Sequence, residues 1–265
     1  MWSQLSVLSA ERQRFILTTV IDRGGSTPRG VGAQMIITLN QNFGTIGGGA
    51  LEHQAIQEAL SLLNQTPRAN PISYLKFHLS HDLGMCCGGQ VNIMLHDYTP
   101  APRLIIFGAG HVGQALAQVT SFSDFQVIVI DDREEWAEPT RFPKQIELVC
   151  DDAEHYLRNI TLGEGDYVVV TTYDHALDER IISSLTRFSL TYLGLIGSQA
   201  KWLRFQKRLR IELNDATRIE RLEKTHCPMG LAIKAETPHE IAISIMAELI
   251  SVYRGQKTKE RPQKS

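Results

Sequence analysis

The chain has 265 residues, of which 43% are apolar and 21% charged, and its formal net charge is −2. This composition is typical of a soluble globular protein with one large domain or two small ones. The near-neutral charge argues against a nucleic-acid-binding protein, and no apolar run approaches the roughly 18 residues of a membrane span. An adjacent pair of cysteines plus two scattered ones does not form a disulfide framework, and the start lacks a signal-peptide pattern, so we expect a reduced, cytoplasmic protein.

The first predicted unit, residues 1–98, alternates β-rich runs with loops that are rich in glycine. A helical pattern of apolar residues begins at Ala50, directly after Gly47, Gly48 and Gly49. We therefore expect the backbone N–H groups of this triple glycine to be free to hold an anion at the start of the helix. The glycine-bearing loops of the unit are residues 22–30, 44–49 and 81–90.

The third of these loops carries two adjacent cysteines, Cys86 and Cys87. An accessible thiol in a flexible loop is a candidate for reactivity or for binding a soft metal. Adjacent cysteines suit a tetrahedral zinc site poorly, although His78 and His81 lie close by in the sequence. A pair of unreactive thiols is the remaining interpretation. The other cysteines, interpreted as structural, are Cys150 and Cys227.

A short linker with two prolines, residues 99–102, precedes a second unit predicted over residues 103–253. Its strands alternate with helices, which predicts a Rossmann-like, doubly wound parallel sheet. The first strand leads into a G-x-G-x-x-G turn that opens a helix, a pattern that lets a phosphate approach the backbone. The polar and basic tail, residues 254–265, is expected to be flexible. The ligand-binding residues predicted in the turn are Gly108, Gly110, His111 and Gly113.

Further candidate residues follow the later strands of this unit. Asp131 ends the next strand, at the spacing of the acid that binds a ribose in dinucleotide-binding folds. Ser198 precedes a helix and either holds a phosphate, with added charge from Lys201, or serves only as an N-cap. His175 and Asp178 form either a proton-transfer pair or a structural contact. The residues alone name no substrate, because no complete triad, metal cage or acid pair is visible.

Seven stretches carry a family resemblance, and they occur in order through both predicted units, so the resemblance extends over nearly the whole chain. They are GGSTPRGVGAQMII (24–37), GTIGGGALE (44–52), DLGMCCGG (82–89), FGAGHVGQAL (107–116), VIDDR (129–133), YLGLIGSQAK (192–201) and PMGLAIKAETPHEIAISIMAELI (228–250). In this order they resemble the XdhC/CoxI family, the accessory proteins of xanthine dehydrogenase and related molybdenum hydroxylases. Each stretch is weak alone, but their ordered combination is specific.

The resemblance implies an XdhC-type α/β domain followed by a Rossmann-like domain. It implies a chaperone that binds the molybdenum cofactor (molybdopterin), protects it, assists its sulfuration and inserts it into xanthine dehydrogenase or a related molybdenum hydroxylase. The implied partners are the molybdenum subunit of xanthine dehydrogenase and a cysteine desulfurase, and the implied assembly is a homodimer. Cys87 matches the family's C-G-G pattern and is the implied contact to molybdenum, ahead of Cys86. Tyr173 stands where the family is expected to have histidine. His175 is therefore the remaining candidate for a histidine-based role in this loop.

Two other functions are compatible with the Rossmann-like unit. It could serve an NAD(P)-dependent oxidoreductase, although the first 97 residues offer no convincing acid/base pair for such an enzyme. It could also be a platform for protein docking alone. The resemblance favours the cofactor chaperone, an accessory protein rather than an enzyme.

Overall fold

The chain divides into two units, residues 1–100 and residues 101–265. Each unit has a five-stranded sheet of its own. Cys86 and Cys87 lie outside the described residues, as do residues 256–265 of the predicted tail. The computed structural model describes residues 1–65, 70–79, 81 and 88–255.

The first unit is an antiparallel sheet with a helix packed on one face. Its described elements are α1 (Trp2–Ala10), β1 (Phe15–Gly24), β2 (Gln34–Ile37), β3 (Asn42–Gly44), α2 (Gly49–Leu63), β4 (Ile72–His78) and β5 (Gln90–Tyr98). The strand order is β3-β2-β1-β5-β4, and every neighbouring pair is antiparallel. Apolar residues at every fourth position of α2 (Leu51, Ala55, Ala59 and Leu63) are buried in one core with the sheet, as the helical pattern predicts.

The second unit is a parallel sheet with helices on both faces. Its described elements are β6 (Arg103–Phe107), α3 (His111–Thr120), β7 (Gln126–Asp131), β8 (Glu147–Cys150), α4 (Ala153–Asn159), β9 (Asp166–Val170), α5 (His175–Leu185), β10 (Tyr192–Leu195), α6 (Gln199–Leu213), α7 (Ala216–Glu223) and α8 (Pro238–Tyr253). The strand order is β10-β9-β6-β7-β8, all parallel. One core packs α4, α5 and α6 on the sheet and the other packs α3 and α8, which confirms the predicted doubly wound, Rossmann-like fold.

The strand order fixes where this unit can bind a ligand. From β6 the chain builds outward through β7 and β8, and then returns to place β9 and β10 on the other side of β6. Open α/β sheets bind ligands beyond the carboxyl ends of the strands, at the point where the order reverses. That point lies between the loops after β6 and β9. No helix among the described residues combines the length and apolar character that crossing a bilayer requires.

Candidate ligand-binding site

The glycine turn after β6 contains two glycines that the fold requires and one that it does not. A Cβ atom on Gly108, whose φ is +110°, would lie 2.4 Å from the Thr171 carbonyl oxygen. A Cβ atom on Gly113 would lie 1.9 Å from the carbonyl oxygen of Gly108. Gly110 has a φ of −63°, and a Cβ atom there would meet no described atom within 4 Å. Packing therefore explains two of the glycines and leaves open space beside the third.

The helix that follows this turn begins without a side-chain cap. Its N-cap is Gly110, and His111, exposed, is its first residue. The first N–H groups of any helix lack partners within the helix. Among the described α-helices of the second unit, α3 alone has no side chain on these groups. The caps of the other five are Asp152, Asp174, Ser198, Asp215 and Thr237.

A shallow cleft lies beyond the carboxyl ends of the central strands, next to the glycine turn. It encloses about 250 Å³, counted with the solvent at its mouth. Its lining combines apolar side chains with three carboxylates and a tyrosine. The lining residues are Phe107, Gly108, Ile130, Asp131, Asp132, Asp151, Ala153, Thr172, Tyr173 and Leu177.

Asp131, predicted as a ribose-binding acid, is fully engaged within its own unit. Its Oδ2 accepts the Ala109 N–H at 2.7 Å and Arg133 Nη2 at 2.8 Å, while Oδ1 accepts the N–H and Nε of Arg133 at 3.1 and 2.8 Å. Burial alone would raise the pKa of this carboxyl, but the hydrogen bonds outweigh burial and leave the pKa below its ordinary value. A carboxylate has about four acceptor positions, and four donors occupy them here. A ribose would have to displace one of these donors.

Arg133 lies between aromatic rings at the mouth of the cleft. Its guanidinium carbon is 4.1 Å from the ring centre of Tyr173 and 4.9 Å from that of Trp136. The ring of His111 packs edge-on against Trp136, with 5.2 Å between centres. Tyr173 remains 58% exposed, and its hydroxyl lies 3.4 Å from Asp132 Oδ2. The negative charge of Asp132 raises the pKa of Tyr173. Because the Asp132 carboxylate is exposed and accepts only this long hydrogen bond from Tyr173 among those described, it keeps acceptor capacity for a ligand.

Lys201 and Ser198, predicted to hold a phosphate, are engaged in contacts within the unit. Ser198 caps α6, because its Oγ accepts the Lys201 N–H at 3.2 Å. The Lys201 ammonium lies 2.7 Å from Asp178 Oδ2 and 3.3 Å from the Ile196 carbonyl oxygen. The Lys201 side chain is only 9% exposed, and that of Asp178 only 1%. His175 begins α5 with a 79% exposed side chain, and its Nδ1 lies 3.7 Å from Asp178 Oδ2.

In the first unit, a carboxylate of the chain itself binds the triple-glycine loop. Glu52 Oε1 accepts the Thr45 hydroxyl and the N–H groups of Ile46, Gly47 and Gly48, the last three at 2.9, 3.1 and 2.8 Å. The expectation that the N–H groups of Gly47 and Gly48 are free is therefore wrong. Burial raises the pKa of Glu52, but the hydrogen bonds prevail and lower it. The third glycine of the loop, Gly49, is the first residue of α2.

The glycine loops of the first unit meet at one end of its sheet. A Cβ atom on Gly89 would lie 2.3 Å from the Ser26 carbonyl oxygen, and one on Gly47 would lie 2.8 Å from Pro28 Cβ. The described parts of the three loops are thus in direct contact. The predicted roles of Cys86 and Cys87 fall outside the described residues and stay predictions. Within the described ranges, no group of three or more His, Cys, Asp or Glu side chains is arranged to hold a metal ion.

The two remaining cysteines are both free thiols. Cys150 ends β8 and is exposed, and Cys227 is partly buried. Desolvation, followed by the neighbouring carboxylates, raises the pKa of the Cys150 thiol. A thiol with a raised pKa is a poor nucleophile, because the thiolate is the reactive form. The structural role predicted for Cys150 stays a prediction.

Sequence reasoning missed several charged residues that hold loops of the two units in place. The sequence gives a weak indication of the partners of Glu52 and Arg133, because Glu52 lies a few residues after the loop that it binds and Arg133 lies two residues after Asp131. It gives none for Glu248, which is buried in α8 and accepts the Tyr192 hydroxyl at 2.7 Å and the Gly230 N–H at 2.6 Å. His226 Nδ1 lies 3.1 Å from the same carboxylate, which anchors the chain after α7 beside β10.

Comparison with known families decides the family of the chain. A family model described as the XdhC Rossmann domain matches residues 104–249, more than half of the chain. A second model, described as the XdhC and CoxI family, matches residues 8–74. The chain belongs to the XdhC and CoxI family. The resemblance predicted from seven ordered stretches is thereby confirmed.

Individual relatives of this XdhC-family protein differ in length. The uncharacterized protein YqeB of Escherichia coli is 30% identical over 255 residues, covering 95% of this chain and 46% of YqeB. A protein of Bacillus subtilis, named as a probable subunit of xanthine dehydrogenase, is 35% identical over 159 residues, covering 60% of this chain and 45% of that protein. The molybdenum cofactor insertion chaperone PaoD of E. coli is 22% identical over 289 residues, covering 89% of this chain and 83% of PaoD. The chain thus spans about half the length of the first two relatives.

A solved structure has a similar fold. It is described as a xanthine dehydrogenase from Bacillus halodurans and matches with a TM-score of 0.53 at 23% identity. The match covers 98% of this chain and 97% of that one. At this identity the likeness supports the fold alone.

Proposed function

We propose that this XdhC-family protein binds the molybdenum cofactor as cargo, protects it, assists its sulfuration and inserts it into xanthine dehydrogenase or a related molybdenum hydroxylase. Family membership supports the proposal, as do the names of two relatives, one a probable component of xanthine dehydrogenase and the other a molybdenum cofactor insertion chaperone. In this account the partners are the molybdenum subunit of the hydroxylase and a cysteine desulfurase, and the protein acts in the cytoplasm as a homodimer.

The uncapped start of α3 is the observation that carries the proposal. Molybdopterin ends in a phosphate, and a helix N-terminus attracts an anion through its free N–H groups and its partial positive charge. The open space beside Gly110 gives a phosphate room to approach the backbone. In contrast, the N–H groups of Gly47 and Gly48 in the triple-glycine loop, directly before α2, are bound by Glu52. We therefore assign the phosphate to the glycine turn of the second unit and not to the triple-glycine loop of the first.

The polar side of the cleft suits the ring end of the cofactor. A pterin has an edge of amino and ring N–H donors, and Asp132 has an exposed carboxylate with acceptor capacity. Tyr173 also presents an exposed aromatic ring, on which a planar ring system can stack. Recognition of both a phosphate and a flat donor-bearing ring fits a pterin phosphate better than it fits a simple anion.

We infer that Cys87 contacts the molybdenum of the cargo. The neighbouring Cys86 is the second candidate for this contact. A thiolate is a soft ligand that suits molybdenum and sulfur chemistry. Both cysteines lie outside the described residues, so their assignment rests on the family's C-G-G pattern. Cys87→Ser, with Cys86→Ser as the matched variant, tests this contact through the molybdenum retained by each protein.

An NAD(P)-dependent oxidoreductase is the weaker alternative. That function needs an acid free to bind the adenosine ribose. Asp131 already accepts four hydrogen bonds from Ala109 and Arg133, which leaves this role to the exposed Asp132. The names of the relatives point to molybdenum cofactor handling instead. Purified protein mixed with molybdenum cofactor and passed through gel filtration distinguishes the two functions. The proposal expects molybdenum and pterin to elute with the protein in near-equal molar amounts. Loss of both from the protein peak, together with tight binding of NAD(H) in a parallel titration, would replace it with the oxidoreductase.

A further inference from the structure

The loop after β9 carries the exposed ring of Tyr173 and is bound on both sides of it. Before the ring, Thr172 Oγ1 lies 2.6 Å from Asp178 Oδ1, in the first turn of α5. After the ring, Asp174 Oδ1 accepts the Ala176 N–H at 2.9 Å and caps the same helix. Thr172 and Tyr173 both line the cleft. The main chain on either side of the ring is therefore tied to the start of α5.

The carboxylate that binds Thr172 is one half of a buried ion pair. Asp178 Oδ2 lies 2.7 Å from Lys201 Nζ, and both side chains are buried. The Lys201 ammonium also donates to the carbonyl oxygen of Ile196, in the loop after β10, at 3.3 Å. One oxygen of Asp178 thus faces the ammonium and the other faces the Thr172 hydroxyl. The pair therefore fixes the acceptor that the Thr172 hydroxyl meets.

Packing alone is a weak explanation for this pair, because apolar side chains of similar volume often give equal or greater stability at buried positions. The sequence nevertheless makes room for it, since a Cβ atom on Gly197, whose φ is +151°, would lie 2.8 Å from Lys201 Cδ. The pair acts directly on Thr172, and through the backbone on the residue that follows it in the cleft. Without Asp178, the Thr172 hydroxyl would turn to the Asp174 carbonyl oxygen, 3.0 Å away.

The Tyr173 ring bridges the loops that follow β9 and β7. One face of the ring lies on the Arg133 guanidinium, with 4.1 Å between its carbon and the ring centre. The hydroxyl of the ring lies 3.4 Å from Asp132 Oδ2. A shift of the loop after β9 would therefore change the spacing between this aromatic ring and the exposed carboxylate of Asp132.

We propose that Lys201 and Asp178 are positioning residues for the flat ring of the cargo. Through Thr172 they hold the Tyr173 ring beside Asp132. A ligand ring then meets the aromatic face and the carboxylate at a fixed spacing, which raises its affinity because the site needs no ordering on binding. The pair has no part in holding the phosphate at the glycine turn. This inference rests on the proposed function, since it takes the ring end of the cargo to lie in this cleft.

The surroundings of the Tyr173 ring test this role without any ligand. The full chain is labelled with 3-fluorotyrosine, and the Tyr173 ¹⁹F signal is assigned by its loss in Tyr173→Phe. In the wild type we expect a signal shifted from that of free fluorotyrosine, because the ring lies on the Arg133 guanidinium. In Lys201→Met/Asp178→Leu and in Thr172→Val we expect a folded protein whose signal moves toward the free value. An unmoved signal in either variant would overturn the positioning role.

Two matched controls accompany these variants. Thr172→Ser keeps the hydroxyl that meets Asp178, so we expect the wild-type signal. Arg103 and Asp166 begin β6 and β9 at the opposite edge of the same sheet and form a comparable pair, 2.8 Å apart. Arg103→Met/Asp166→Leu is also expected to keep the wild-type signal. A shift in either control as large as that in Thr172→Val would mean general loosening of the unit, which would also overturn the proposal.

Ligand binding gives a second readout, with 6-hydroxymethylpterin phosphate and inorganic phosphate titrated against each protein. We expect Lys201→Met/Asp178→Leu and Tyr173→Ala each to bind the pterin phosphate about tenfold more weakly than the wild type, because stacking of a flat base on an aromatic side chain is typically worth about that much. Their affinity for inorganic phosphate is expected to stay within about twofold of the wild type, since sites without shared partners act nearly independently. Equal losses of affinity for both ligands would overturn the proposal.

Combining Tyr173→Ala with Lys201→Met/Asp178→Leu shows whether the pair acts through the ring. We expect the combined variant to bind the pterin phosphate no more weakly than Tyr173→Ala alone. Additive losses would overturn the proposal, because they would mean that the pair acts independently of Tyr173. If the wild type binds inorganic phosphate and gains nothing from the pterin, the proposed function fails at its ring end, whereas the ¹⁹F signals still decide whether the pair positions Tyr173.

Discussion

The carboxylate of Asp131 accepts the N–H of Ala109 at 2.7 Å, across 22 residues of sequence. This bond joins the end of β7 to the glycine turn after β6, and Arg133 occupies the remaining acceptor positions of the carboxylate. The acid at the end of the second Rossmann strand therefore shapes the turn itself. Asp132, next to it, is the carboxylate with capacity left for a ligand.

The first prediction separates these two neighbouring acids. Asp131→Asn is expected to lower the free energy of unfolding by about 2–3 kcal/mol, because a buried ionised acceptor loses its charge-assisted hydrogen bonds. Asp132→Asn, at an exposed position, is expected to change it by less than about 0.5 kcal/mol. Urea denaturation followed by circular dichroism measures both. Equal effects of the two substitutions would contradict the assignment of Asp131 to the turn.

A second prediction concerns the free energy of unfolding at acidic pH. Burial raises the pKa values of Asp131, Glu52 and Glu248, but hydrogen bonds outweigh it and lower all three. A carboxyl whose pKa is lower in the folded state stabilises the fold above its unfolded pKa of about 4, and this stability is lost as the pH falls through the folded value. We expect the free energy of unfolding to decline steeply below about pH 4.5. The decline is expected to be shallower in Asp131→Asn, and parallel curves between pH 3 and 6 would argue against a lowered pKa of Asp131.

The third prediction concerns the energy of the buried pair. Lys201→Met alone leaves the Asp178 carboxylate buried without its ammonium partner. Such a loss costs about 3–5 kcal/mol, whereas removing both charges is often neutral. We therefore expect Lys201→Met to unfold at a much lower temperature than the wild type, and Lys201→Met/Asp178→Leu to recover most of the difference. Thermal unfolding of the two variants side by side measures this, and a double variant no more stable than the single one would refute it.

Glu52 gives a fourth prediction, in the first unit. Glu52→Gln is expected to lower the free energy of unfolding by about 1.5–3 kcal/mol, because one ionised oxygen accepts hydrogen bonds from the loop at residues 45–48. Glu58→Gln, on the same helix, is the matched control and is expected to have little effect. Denaturant titration of both proteins supplies the comparison. If the control loses as much stability as Glu52→Gln, the loop does not depend on this carboxylate.

The sequence allowed the sheet and the turn to be predicted because both depend on local patterns. Buried apolar runs mark the parallel strands, and the spacing of Gly108, Gly110 and Gly113 marks a strand that enters a helix through a close turn. The partners of charged side chains depend instead on the tertiary fold. Lys201 meets Asp178, 23 residues earlier, only because β9 and β10 are neighbours. The sequence pattern therefore predicts that Lys201 adds positive charge for a phosphate, whereas in the fold its ammonium is paired with Asp178.

The most direct test of the account is cofactor retention by Gly110→Ala. Alanine at position 110 fits the backbone and meets no described atom, so the fold and its stability are expected to stay close to those of the wild type. The added methyl group would occupy the space assigned to the phosphate. Gly163→Ala is the matched control, since Gly163 also has open space but lies before β9, at the opposite edge of the sheet.

Each protein is mixed with molybdenum cofactor and passed through gel filtration, and molybdenum and pterin are measured in the protein peak. The account predicts retention by the wild type and by Gly163→Ala, and at least tenfold lower retention by Gly110→Ala at unchanged melting temperature. Equal retention by all three proteins would contradict the assignment of the cofactor's phosphate to the glycine turn.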